Sequence, residues 1–139
     1  MGSTIDAWIE YDQYGRGDGK EAFSEQPECL PLPEWSDMSH AKDYPVYGAI
    51  FGVRNSTGIE PLFVRRGIPE NPSSEVEKGL DAGDDMASWL YPSEVIAALA
   101  HHSVTEEVIS LEMRCVMRIL EFMASELGDQ RVRLVFRVE

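Results

Sequence analysis

Apolar and polar positions alternate near the start of the chain. Ile5, Ala7, Ile9 and Tyr11 fall on one side of an extended segment, and Thr4, Asp6, Trp8 and Glu10 on the other. This is the two-residue period of a strand with one buried face. The same period returns at the far end, where Val132, Leu134, Phe136 and Val138 share one side and Arg131, Arg133 and Arg137 the other. It predicts a terminal strand with a cationic outer face. Between the two the period changes to three or four: Val104, Val108, Leu111, Cys115, Ile119, Phe122 and Met123 recur as far as Leu127, the spacing of an amphipathic helix. Ser103 followed by Glu106 reads as its capping box and Gly128 as its stop, giving a helix of about 23 residues, roughly 35 Å long.

Shorter elements fill the rest. Ser73 or Ser74 can cap a helix running through Leu80, with Glu75 and Glu77 in its first turn, where the helix dipole favours acidic residues. Pro92 with Glu94 close behind it starts another, running to about Ala100. Tyr14–Lys20, with three glycines, reads as a hairpin turn into a short second strand at Glu21–Ser24. Pro27–Tyr44 contains Pro27, Pro31 and Pro33 and reads as a surface loop. Val46–Val53 is the densest apolar run and reads as a core helix or turn. Arg54–Gly58 and Arg65–Pro69 read as turns, and an acidic Gly83-Asp84-Asp85 loop leads into Ser88-Trp89-Leu90. Strands at the ends and helices in the middle make the expected class α+β: a small, mainly antiparallel sheet that includes both terminal strands, packed by the long helix and the shorter ones.

Composition narrows the class without naming a reaction. The 139 residues are 43% hydrophobic and 27% charged, ordinary globular usage in a length that suits one domain over 1–139. Cys29 and Cys115 lie far apart and outside any Cys-x-x-Cys or Cys/His spacing, so both are expected reduced, Cys115 packed as a small hydrophobe. The first residues carry no basic run, and no stretch has the length of a membrane span. The expectation is a soluble, cytoplasmic chain.

Charge is informative in its distribution. The net charge is −13, from 12 Lys+Arg against 25 Asp+Glu, which repels nucleic-acid polymers and anionic membranes. Yet residues 46–68 hold Arg54, Arg65 and Arg66 against Glu60, and residues 131–139 hold three arginines against Glu139. These are two +2 segments in a remainder of −17. Arginine forks fit phosphate and carboxylate bidentately. One reading is a site for a small anionic ligand such as a nucleotide, with Arg54, Asn55, Arg65, Arg66 and Trp89 as binding residues. The other is that these arginines pair with the chain's own carboxylates.

Catalytic patterns are fragmentary. Gly15-Arg16-Gly17-Asp18-Gly19-Lys20 lacks the Ser/Thr and the helix of a phosphate loop. His101 and His102 are adjacent, so their side chains point about 100° apart on a helix and suit the dipole at its C-terminus. Asp81, Asp84 and Asp85 lack the spacing of a calcium loop. No cofactor is expected and no metal site; Asp6, Asp84 and Asp85 are the only candidates for one.

Several segments together resemble a family of small, mostly uncharacterised proteins of tailed bacteriophages and prophages. They are Met1-Gly2-Ser3-Thr4-Ile5-Asp6, Val53-Arg54-Asn55, Arg66-Gly67-Ile68-Pro69, Ser74-Glu75-Val76, Ser88-Trp89-Leu90 and Val132-Arg133-Leu134-Val135-Phe136. Members open with Met-Gly-Cys-Asp-Ile-His and carry two histidines before Ser-Trp, a set that looks like a metal or acid/base constellation. In this chain Ser3, Thr4 and Asp6 stand at the first place, and Asp85 and Ala87 at the second, so such chemistry is expected to be lost or rebuilt. The resemblance implies a phage accessory protein of the host cytoplasm. The leading expectation is inhibition of a bacterial anti-phage defence by stoichiometric binding, either of a defence protein or of its nucleotide signal. The alternative is a metal-dependent nucleotide or phosphoester hydrolase using Asp6, Asp84 or Asp85. Oligomeric state is left open: a homo-oligomer through an exposed, arginine-faced terminal strand would oppose like charges unless an anion or acidic face intervened.

Overall fold

The computed structural model describes residues 5–12, 27–31, 49–50, 63–80, 86–105, 107 and 109–138. Two strands drawn from opposite ends of the chain form its centre. β1 (Ile5–Tyr11) and β4 (Val132–Val138) pair antiparallel along their whole length, from Ile5 opposite Val138 to Tyr11 opposite Val132. β2 (Glu28–Pro31) adds to the free side of β1 and β3 (Ala87–Leu90) to that of β4, both antiparallel, in the order β2-β1-β4-β3. With α1 (Ser74–Gly79), α2 (Pro92–His101) and α3 (Leu111–Leu127), this is the α+β arrangement expected.

Alternation along each strand divides the sheet into two faces. On the first, Ala7, Ile9, Val132, Leu134, Phe136 and Leu90 pack against Val95, Ala98 and Leu99 of α2 and Met113, Val116 and Leu120 of α3, with Ala49 and Ile50 in the same cluster. Expectation and structure agree here: the long helix lies across the apolar face, and Val46–Val53 contributes to the core through the two of its residues that are described.

The second face departs from expectation. It is covered as well, by α1 and the segment before it: Val76 and Leu80 pack on Ala87 and Val135, flanked by Trp8, Ile68 and Trp89. Register places Trp8 and Trp89 on either side of Val135 in one row. Two of the positions read as a polar outer face of the terminal strands, Glu10 and Arg133, are therefore interior. Glu10 is 0% exposed and Arg133 4%.

Other boundaries move for local reasons. Instead of lying wholly in a loop, Pro27–Tyr44 contains β2, an edge strand that ends on Pro31, where a missing N–H costs no ladder bond. Ser88-Trp89-Leu90, for which the sequence named no element, belongs to edge strand β3. The outer side of that strand is met by the Gly67 N–H, which donates to the Ala87 carbonyl at 3.0 Å, and by the Arg66 N–H, which donates to Ser88 Oγ at 3.0 Å. Gly67 adopts φ +80, a region glycine enters without steric cost. The long helix has 17 residues, not about 23. It starts at Leu111, where Ser110 Oγ accepts from the Met113 N–H at 3.1 Å. Ser103 has φ +56 and lies in the turn after α2. Val104 and Ile109 pack on the core from the connection between α2 and α3. Gly128 closes α3 with φ +103, as its position predicts. Because β4 is internal to the sheet, it offers no edge for oligomerisation. The Gly-rich turn and the strand expected at Glu21–Ser24 lie outside the described residues.

Candidate functional site

Of the residues singled out for an anion, Arg66 and Trp89 come together. Trp89 sits in edge strand β3, and the turn ahead of α1 carries Arg66 alongside that edge. The Arg66 guanidinium stacks over the Trp89 ring at 4.7 Å and lies 5.3 Å from the Phe63 ring, distances at which a cation is attracted to the ring face. Tyr91 meets Trp89 edge-on, with ring centroids 5.1 Å apart. From β4, two residues before Val135, Arg133 approaches the Trp89 ring at 5.9 Å.

The fork of Arg66 is occupied. Its Nη1 donates to Glu94 Oε1 at 2.7 Å and to the Trp89 carbonyl at 3.3 Å, and its Nη2 closes a second contact on Glu94 Oε2. Glu94 is held in turn by the Tyr91 N–H, which donates to it at 3.0 Å. It is the third residue of α2, and this contact caps the helix while aiming the carboxylate at Arg66. The hydrogen bond to Glu94 raises the Arg66 pKa. Burial pushes Glu94 upward, but the Arg66 hydrogen bond, the Tyr91 N–H and the Arg66 charge outweigh it and hold the carboxyl below its ordinary value. An anionic ligand at this fork would have to displace a carboxylate that is already bidentate.

A second arginine, not among the expected binding residues, is committed more deeply. Arg133 Nε donates to Glu10 Oε1 at 2.7 Å, and its Nη2 donates to the carbonyls of Glu70 at 2.9 Å and Asn71 at 3.1 Å. Burial lowers the Arg133 pKa, with the Glu10 charge opposing. The other Glu10 oxygen accepts from the Ser73 N–H, and Ser73 Oγ caps α1 by accepting from the Val76 N–H at 3.3 Å. Cys29, opposite Glu10 in the β1–β2 register, has its thiol pushed up to about 11 by burial, partly offset by a hydrogen bond with Ser73. Such a thiol is protonated at neutral pH and is a poor nucleophile.

The remaining expected residues do not join this arrangement. Arg65 is exposed and its Nη1 lies 3.2 Å from Met86 Sδ. Asp6 stands opposite Arg137 in the β1–β4 register, and no group of three or more His, Cys, Asp or Glu side chains suited to a metal occurs among the described residues. Arg54, Asn55, Asp84 and Asp85 lie outside the described residues. His101 and His102 end α2, as expected from the helix dipole, with rings edge-to-face at 4.8 Å. Cys115 is exposed on α3, against the expectation that it packs inside: it lies on the side of the helix opposite Met113, Val116 and Leu120. Among the described residues, no helix is long and apolar enough to cross a membrane.

Glu94 and Glu10 are the partners that sequence reasoning missed. Glu94 was legible as a first-turn acid but not as the Arg66 counterion, because 28 residues separate them. Opposite charges at Glu10 and Arg133 were a visible signal only to a reader who already knew the register.

Fold and site together define a small α+β protein in which, among the described residues, a four-stranded antiparallel sheet carries Arg66 and Arg133 paired with Glu94 and Glu10. No family model matches the chain, nor does any curated protein or solved structure.

Proposed function

We propose that this chain is a phage-encoded accessory protein that inhibits a bacterial defence protein by stoichiometric binding in the host cytoplasm. The observation that carries the choice of a protein target over a nucleotide is the state of the arginines. The Arg66 fork is filled by Glu94 and the Arg133 guanidinium by Glu10 and two carbonyls. These two cations are neutralised within the fold, in a chain whose net charge is −13. An acidic surface of this kind suits a basic partner surface, such as a nucleic-acid channel, through charge complementarity. The phage origin rests on the resemblance of the six segments quoted above.

The test is expression of the chain in bacterial strains that each carry one defence system, followed by plaque counts. Restored plaquing on one strain, with a purified equimolar complex that weakens as salt rises, is the expected result. If plaquing is restored on none of the strains, the inhibitor reading fails. Metal-dependent turnover of a nucleotide or phosphoester would replace it with the hydrolase reading. A rise in melting temperature with one nucleotide would move the target from a protein to a signal molecule.

A further inference from the structure

We draw no further inference here: the strongest candidate, the solvent face of α3, where Leu111 and Phe122 are exposed beside the Arg118–Glu121 ion pair, is an unpartnered helix face, and nothing in the structure shows what covers it.

Discussion

Glu10 and Arg133 face each other across β1 and β4, 123 residues apart in sequence, with Arg133 Nε 2.7 Å from Glu10 Oε1 and both side chains buried. Through its second oxygen Glu10 holds the Ser73 N–H, and through Nη2 Arg133 holds the carbonyls of Glu70 and Asn71. The pair thereby fixes the turn that lays α1 over the second face of the sheet. Asn71 takes φ +51 within that turn.

Removing one partner leaves a buried charge uncompensated, which costs far more than the pair contributes. Glu10→Ala or Arg133→Ala is expected to destabilise by about 3–5 kcal/mol. Replacing both by methionine is expected to recover much of that loss. Urea unfolding of the two single variants and the double variant checks it; equal losses in all three would contradict the coupling.

The Arg66–Glu94 pair makes stability depend on acid pH. Glu94 is lowered from an ordinary value of 4.5, so the folded state binds its proton less readily than the unfolded chain. Its contribution is then complete above 4.5 and is lost as pH falls through the lower, folded value. Melting temperatures of the unaltered chain and Glu94→Gln are expected to differ most near neutral pH and to converge on acidification. A gap that stays constant down to about pH 3 would assign the effect to something other than this carboxylate.

The two thiols are expected to react at different rates. Cys29 is half-buried with its pKa near 11, whereas Cys115 is exposed on α3. In dilute protein at neutral pH, a thiol reagent should modify one cysteine quickly and the other about a hundredfold more slowly, in proportion to thiolate available and access. Cys115→Ser should remove the fast phase and Cys29→Ser the slow one; the reverse assignment would refute the placement of both.

Helix starts and close approaches give a third set of stability tests. Ser110→Ala removes the α3 cap and is expected to cost about 1 kcal/mol. Ser103→Gly is expected to leave stability within about 0.5 kcal/mol, because Ser103 caps no helix and its positive φ suits glycine. At Gly79, a Cβ would stand 2.5 Å from the Trp8 ring. Gly79→Ala should therefore displace the indole and shift tryptophan fluorescence, while an unchanged spectrum with unchanged stability would place Trp8 elsewhere. Denaturant midpoints separate all three variants.

The sequence by itself determined the elements whose signal is local. Periods of two and of three to four, a serine cap, a first-turn proline and a closing glycine act within a few residues, and from these the terminal strands, α2, the body of α3 and the α+β class were legible. It also determined the net charge of −13, since a count of charges needs no coordinates. Tertiary structure alone decided that α3 starts at Leu111 with Ser110 as its cap, rather than after Ser103, where the local capping-box pattern put it. It alone decided that Arg133, on the arginine side of β4, is interior. A strand pattern records which residues share a face but not whether a distant helix covers the other one. The pairings Glu10 with Arg133 and Arg66 with Glu94 depend on register and on where the turn ahead of α1 lies, so complementary charges far apart in sequence became specific partners only once the chain had closed its ends into one sheet.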